Sequence, residues 1–428
     1  MKKAIKYLSG MKSRCFMLLT CLILLVGATS CSSDDFETNL PDESKQLSKA
    51  ELIQQALSRM PKTRSTEPNL VIMTTIKKAV TIRGTLTDSV KIQWDKDKTT
   101  SVYGPNMSVP YMFTDDNLSH YIRIMGSEQA IKSLDLDNNE LISLDVSGNT
   151  NLMSLTCKGN HLDAIDLTAC SNLGTLNISN NEFSTIDITG LPVYFFYAEN
   201  NQLTELDVSQ NLNLSNLALG NNQLTELNVS KNQNLSTLEV ENNQLTNLDL
   251  FNCPDIIILN VSFNPITDLN INNSTYLMYL YLERVPLKTL NNQPLCDLSF
   301  AIYPQLMGLG VAYTPFESLN LSYNPILVDV DISGSSIAQL NMLDGIIGHL
   351  NATRSKLRNL VYTSNSLENL YEVRIESTPF EKDWKILKPF VENLPSRNGI
   401  ASGHFYTYSE NIDKIASIIT QYNWFINN

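Results

Sequence analysis

The chain has 428 residues, 43% of them hydrophobic, with 44 acidic against 31 basic side chains, a net charge of −13 and a pI near 4.8. That composition is globular and excludes a disordered or collagen-like chain. Lys2, Lys3, Lys6, Lys12 and Arg14 all lie within positions 1–30, so a chain cut after them carries −18, which argues against a nucleic-acid partner and against docking on anionic lipid by charge.

Positions 1–30 join those cations to an apolar run at 16–26 and to small residues before Cys31. The run is about eleven residues where a membrane span needs about twenty, so it reads as a signal peptide. Met11 is as well placed as Met1 to start it. Ala28-Thr29-Ser30-Cys31 resembles a lipobox, with Ala28 where such boxes carry leucine, and the resemblance implies cleavage that leaves Cys31 lipidated. Ser32-Ser33-Asp34-Asp35-Phe36-Glu37 is similar to the acidic export signal of Bacteroidetes lipoproteins, which implies an outer membrane lipoprotein exposed at the cell surface.

Residues 31–67 are polar, contain Pro41 and Pro61, and read as a flexible tether. Ser48-Lys49-Ala50-Glu51 is a capping box within it, opening one short helix towards Met60. Residues 68–126 switch to alternating runs at 70–76, 79–84, 89–94 and 121–125, with Gly104-Pro105-Asn106 as a turn. These are strands of a β-sandwich. The layout resembles the polycystic-kidney-disease-like domain that precedes repeats in Bacteroidetes proteins, although Trp94-Asp95-Lys96-Asp97 departs from that domain's W-G-D-G turn. Its expected task is to close the first turn of the repeats that begin at 127.

Residues 127–380 repeat the unit L-x-x-L-x-L-x-x-N, as in L-T-E-L-D-V-S-Q-N at 203–211 and L-T-E-L-N-V-S-K-N at 224–232. Two units make a period of about 21 residues, a solenoid signature. Positions 4 and 6 alternate as a strand does, with 3 and 5 turned outward. Asn at position 9 satisfies backbone groups that the turn leaves unpaired. The phrase N-Q-L-T-x-L-D-V-S at 201–209, with near copies from 222 and 243, resembles the leucine-rich repeat family in its short internalin-like form, also common in Bacteroidetes surface proteins. The resemblance implies a horseshoe or arc whose L-x-x-L-x-L strand is concave and whose L-T-x-L-D-V-S strand is convex. Twelve turns start near Ile131, Leu152, Leu173, Val193, Leu214, Leu235, Ile256, Leu277, Leu306, Leu327, Ile347 and Leu370. A longer turn at 287–305 should bulge on the convex side. Residues 381–428 read as a C-terminal α/β cap with helices at 381–394 and 411–422 and a strand at 403–408. The fold class is thus mainly β with some α, a leucine-rich repeat solenoid between two caps.

Cys157 falls at core position 6, Cys170 and Cys253 at position 9, and with Cys296 they occupy different faces or turns, so they read as free thiols. His120, His161, His349 and His404 are scattered without metal-ligand spacing and read as surface or loop residues. Catalytic and phosphate-binding motifs such as G-x-S-x-G and G-x-x-x-x-G-K do not occur. Asp135-Leu136-Asp137 resembles the start of a calcium loop, but Glu140 stands where that loop needs Gly and Val146 where it needs Glu. The expectation is a protein that is not an enzyme and has no cofactor or metal.

Outward positions of the concave strands collect Tyr194, Phe195, Tyr197, Phe263, Tyr279, Tyr281, Tyr313 and Tyr371, beside Glu283, Arg284 and Arg374. Further acids there are Glu199, Glu239, Glu241, Asp329, Asp331 and Glu376. Exposed aromatics next to arginine are the residue types of binding hot spots. Aromatics also favour strands for packing alone, and Tyr279 with Tyr281, on both outward positions of one strand, are least explained that way. The family resemblance implies a protein partner, bacterial or host, bound for adhesion or recognition. Glycan binding, with tyrosines stacked on sugar rings, is the alternative.

Overall fold

The computed structural model describes residues 47–60, 68–95, 98–114, 117–295, 298–343, 345–397, 402–408 and 412–427. The signal segment, Cys31, the export-signal residues, most of 31–67 and Cys296 lie outside the described residues. Helix α1 (Lys49–Leu57) is followed by strands β1 (Asn69–Thr75), β2 (Ala79–Leu86), β3 (Val90–Trp94), β4 (Lys98–Val102), β5 (Asn106–Met112) and β6 (His120–Gly126). The first repeat supplies β7 (Ile131–Asp135) and β8 (Leu141–Asp145).

One sheet is ordered β4-β3-β6-β1-β8, and in the other β5-β2 joins β7. Both sheets therefore run into the first repeat, through the antiparallel pairs β1 with β8 and β2 with β7. The strand edges at which the repeats begin are hydrogen-bonded instead of open. Gly84 permits the second join, because a Cβ there would lie 2.2 Å from the carbonyl oxygen of Ser133. Val71, Met73, Ile82, Ile92, Trp94 and Ile124 fill the space between the sheets and form one core with the repeat leucines.

Sequence periodicity misses β4 and β5. They are the outer strands of their sheets and mostly exposed, so no alternation marks them, and Pro110 is tolerated in β5 because an edge strand has one unpaired side. Helix α1 has nine residues, too few to persist alone. Buried Ala56, a hydrogen bond from Ser119 Oγ to the Leu52 carbonyl at 2.8 Å, and an ion pair from Lys49 Nζ to Asp163 at 2.7 Å hold it against the rest.

The twelve expected turns each give one parallel strand to a single continuous sheet. Register is strict: Thr175, Phe195, Asn216, Thr237, Ile258 and Tyr279 stand in one row, and Asn177, Tyr197, Ala218, Glu239, Asn260 and Tyr281 in the next. Between the rows Leu176, Phe196, Leu217, Leu238, Leu259 and Leu280 are fully buried. Burying each contributes about 1.5–3 kcal/mol, but only when copies stack.

The Asn of position 9 does what the pattern requires. Asn222 Nδ2 donates to the carbonyls of Ala198 and Leu219 at 2.9 and 3.0 Å, and its Oδ1 accepts from the Leu203 N–H at 3.0 Å. Asn181, Asn201, Asn243 and Asn264 repeat this. On the opposite side of each turn the L-D-V-S phrase closes with Asp207 Oδ1 accepting from the Ser209 N–H at 2.8 Å.

The convex strand is only partly formed. Between 162 and 249 that segment forms no strand, adjacent turns meeting through backbone bonds such as the Gln223 N–H donating to Leu203 at 2.8 Å, with an isolated bridge at Asp249 and Asn270. Other carbonyls there are taken by side chains, as when Asn211 Nδ2 donates to Ile188 and Leu191. The long turn does fall on that side: Thr289–Leu290 pairs in parallel with Asp268–Leu269 and in antiparallel with Gln293–Pro294. A separate four-stranded sheet then runs from Leu298–Ser299 to Asn359–Val361.

At the C-terminal end, helices Pro379–Lys382, Trp384–Glu392 and Ile412–Ile419 accompany two more parallel strands, Gly403–Tyr406 and Trp424–Asn427. The last of these is an addition to the expected elements. Trp424 is buried across Gly403, with Nε1 donating to the Pro395 carbonyl at 2.8 Å.

Candidate binding surface

The outer face of the long parallel sheet carries all eleven residues singled out for ligand binding, in three groups. Tyr194, Phe195 and Tyr197 belong to one strand and the residue before it. Four strands further on lie Tyr279 and Tyr281, followed by Glu283 and Arg284, with Phe263 and Tyr313 on adjacent turns. Tyr371 and Arg374 sit another four strands away. At about 4.8 Å per strand, neighbouring groups are roughly 20 Å apart, so they do not form one pocket.

In the central group the tyrosines lean over a strand that has no outward side chains. A Cβ on Gly308 would lie 2.7 Å from Tyr279 Cδ1, and one on Gly310 would lie 2.9 Å from Tyr281 Cδ1 and 3.3 Å from Glu283 Oε1. Both rings are half-buried, and burial pushes the Tyr281 hydroxyl up to about 12, with Asp329 adding to it. Across the bare strand stand Asp329 and Asp331. Asp331 is held by Asn351 Nδ2 at 2.9 Å, and Asp329 by His349 Nδ1 at 2.6 Å. That bond holds the His349 imidazole above its ordinary value.

Beside the Asn ladder runs a second row with left-handed backbone. Asn138, Gly159, Asn180, Asn200, Asn221, Asn242, Phe263, Arg284, Tyr313, Gly334, Arg354 and Ser377 all have φ between 53° and 69°. Glycine and asparagine suit that conformation, and bulky side chains do not. Yet Phe263, Arg284 and Tyr313 occupy consecutive turns and stack: the Arg284 guanidinium lies 5.8 Å from the Phe263 ring centre and 4.4 Å from that of Tyr313. Phe263 is 41% and Tyr313 46% exposed.

Towards the N-terminal end the same face becomes acidic. Glu239 is pushed up to about 7 by burial, then by Glu241 and Glu199. Burial also raises Glu241, whose carboxylate sits over Gly220, while Glu199 accepts from Ser179 Oγ. At the other end Arg374 is already engaged, with Nε 2.8 Å from Glu372 and its guanidinium 3.9 Å from the Tyr406 ring centre.

One expectation needs correction. His120 is fully buried, stacked on Phe113 at 3.8 Å, with Nδ1 2.8 Å from Asp95. His349 lies on the sheet face, where its pairing with Asp329 depends on a register that a lone histidine does not advertise. The Cys157, Cys170 and Cys253 thiols are free and buried, as expected. Asp137 supports a turn, its Oδ1 accepting from Thr156 Oγ1 and the Lys158 N–H at 2.7 and 2.8 Å. Among the described residues no cluster of three histidine, cysteine or acidic side chains is arranged to hold a metal ion.

Repeat spacing, strand register and the Asn ladder make this a leucine-rich repeat solenoid. No protein-family model and no curated protein matches the chain. Among solved structures it is similar to the functional domain of InlJ from Listeria monocytogenes, at 20% identity and a TM-score of 0.49 over 72% of this chain and 75% of that one. It is also similar to the internalin InlF from Listeria monocytogenes, at 17% identity and a TM-score of 0.48 over 69% and 86%. A third is the leucine-rich effector YopM from Yersinia pestis, at 19% and 0.45 over 58% and 78%.

Proposed function

We propose that the chain is a non-catalytic recognition module that binds a protein partner through the outer face of its parallel sheet, anchored to the outer membrane by lipid on Cys31 and exposed at the cell surface. The observation that carries the binding reading is the Phe263, Arg284 and Tyr313 stack. Folding alone is better served by asparagine at those positions, as Asn180, Asn200, Asn221 and Asn242 illustrate. Bulky residues kept in a strained conformation, exposed and ordered by one another, are a reason to infer function, and pre-organised aromatic and arginine side chains are what protein hot spots use. The anchor rests on the lipobox-like Ala28-Thr29-Ser30-Cys31.

Tyr279 and Tyr281, half-exposed over Gly308 and Gly310, favour glycan binding as a second reading, because rings laid against a sheet suit stacking on a sugar. The test is to screen the unlipidated chain (Cys31→Ser, from position 31) on extracellular-protein and glycan arrays. A Phe263→Asn, Arg284→Asn, Tyr313→Asn variant is screened beside it. Protein hits lost in the variant support the proposal, and glycan hits kept in it but lost in a Tyr279→Ala, Tyr281→Ala variant support the second reading. Protein hits that survive in the first variant would remove the stack from the binding site.

A further inference from the structure

Around Gly308 and Gly310 the sheet face has a shape and a charge that together point to one kind of occupant. Tyr279 and Tyr281 form an aromatic floor leaning over the bare strand. Carboxylates rim it on both sides: Glu283, whose Oε1 also reaches over Gly310, and, one strand on, Asp329 and Asp331. Glu239 stands two strands before Tyr281 in the same row.

Local cations neutralise this rim only in part, Arg284 lowering Glu283 and His349 pairing with Asp329. Arg284 is held between the Phe263 and Tyr313 rings, and among the described residues it makes no ion pair. His349 engages only one oxygen of Asp329. The repulsion outweighs the local cations: Glu283 is raised by burial and by Asp331 against the lowering by Arg284, and Tyr281 is raised by burial and by Asp329. A charge that enters from outside relieves that repulsion, and a cation over an aromatic face gains further from the ring quadrupole.

We infer that the partner presents a lysine- or arginine-bearing segment to this face, its cationic head seated over Tyr279 and Tyr281 between Glu283 and the Asp329 and Asp331 pair. This rests on the protein-binding reading above and narrows it: the partner surface is basic. Attraction between an acidic face and a basic segment also speeds encounter and weakens with salt.

The experiment uses three synthetic peptide sets of equal length, lysine- and arginine-rich, neutral, and glutamate-rich, with a neutral oligosaccharide as a fourth probe. Each is titrated by calorimetry into the unlipidated chain at 50 and 500 mM NaCl. Three variants accompany it: Asp329→Asn with Asp331→Asn, Tyr279→Ala with Tyr281→Ala, and a charge control on the opposite side, Glu205→Gln with Glu226→Gln. The basic set is expected to bind, at least tenfold more weakly in the aspartate variant and fivefold more weakly in the tyrosine variant. Binding should stay within twofold in the control and drop at least tenfold at high salt. The tyrosine variant keeps every charge, so its loss separates the floor from bulk acidity, and thermal melts establish that each variant is folded. Equal weakening in the control would reduce the effect to diffuse charge and overturn the inference. Neutral or acidic peptides lost in the sheet-face variants would overturn it while sparing the protein-binding reading. Oligosaccharide binding lost there would sink both, whereas no probe sensitive to either sheet-face variant would overturn the inference and leave the protein-binding reading to the Phe263, Arg284 and Tyr313 stack.

Discussion

The turns before Phe263 and those after it are built on the same backbone, yet they treat two adjacent positions differently. From Asn180-Asn181 to Asn242-Asn243 the left-handed residue and the ladder residue are both asparagine. Then come Phe263-Asn264, Arg284-Val285, Tyr313-Thr314, Gly334-Ser335, Arg354-Ser355 and Ser377-Thr378, with the left-handed φ unchanged. At the ladder position the replacements keep part of the bonding: Thr314, Ser335 and Thr378 donate their hydroxyls to the carbonyls of Val311, Ile332 and Ile375 at 2.6, 2.6 and 2.8 Å. At the left-handed position every replacement but Gly334 goes against local preference. If the stacked Phe, Arg and Tyr cost stability that asparagine would keep, something other than folding retains them.

Breaking the regular half should cost the most. Asn222→Ala leaves the Leu203 N–H buried without a partner and takes one of two donors from the carbonyls of Ala198 and Leu219, which keep Asn201 and Asn243, at about 1–3 kcal/mol for the orphaned group. A loss of about 2–3 kcal/mol is expected from urea denaturation. A Thr314→Ala change in the irregular half, where one hydroxyl bond is at stake, should cost only about 1 kcal/mol. Equal costs would mean that the two halves do not differ in how they satisfy their turns.

The acidic tract gives the next largest effect. Glu239 titrates near 7 in the folded chain against an ordinary 4.5. Because the folded value is the higher one, the associated stability is complete below the unfolded value and is lost as pH rises through about 7. Glu241 and Glu283 are displaced in the same direction. Stability should therefore fall from pH 5 to 8, with Glu239 contributing on the order of 2 kcal/mol. Glu239→Gln should flatten that fall. An unchanged slope would show that Glu239 is not the group responsible.

Much of this was legible in the sequence because it recurs. Leu217, Leu238 and Asn222 have counterparts in nearly every turn, so repetition reveals their role, and the twelve strand positions follow. What occurs once was harder to read. Strands β4 and β5 are edge strands with no buried face to impose alternation. His120 gives no sign that it stacks in the core. Phe263, Arg284 and Tyr313 could each be placed on the outer face, but their stacking could not be read, because the long turn 287–305 separates Arg284 from Tyr313 in sequence.

A sharper form of the comparison is to restore the regular rule in the irregular half. Phe263→Asn and Tyr313→Asn place a residue that accepts left-handed backbone where an aromatic one now resists it. Each should raise stability by up to about 1 kcal/mol, offset in part by the lost contact with Arg284. A gain in melting temperature together with lost partner binding is the signature of strain kept for function. Destabilisation by both changes would mean that the stack supports the fold, and the argument for function would lose its basis.

The smallest effect tests whether the ladder itself can be improved. Cys253 stands where Asn232 stands one turn earlier, and its thiol points at the two corresponding carbonyls, Val229 and Asn232, at 3.5 and 3.7 Å. Asn232 Nδ2 meets its own pair, Val208 and Asn211, at 3.0 Å each. A thiol is the weaker donor, and burial pushes it up to about 11, so it stays protonated and unreactive. Cys253→Asn replaces two weak bonds by two ordinary ones in a site whose preceding neighbour, Asn232, already takes the larger side chain, while the next turn carries Ser274. The gain should be about 0.5–1 kcal/mol, because Asn211 and Asn232 themselves leave Oδ1 without a partner, so a third copy inherits that deficit. A loss on substitution would show that the turn at 253 has closed around the smaller residue, and that the ladder's spacing, more than its hydrogen bonds, sets which side chain each turn accepts.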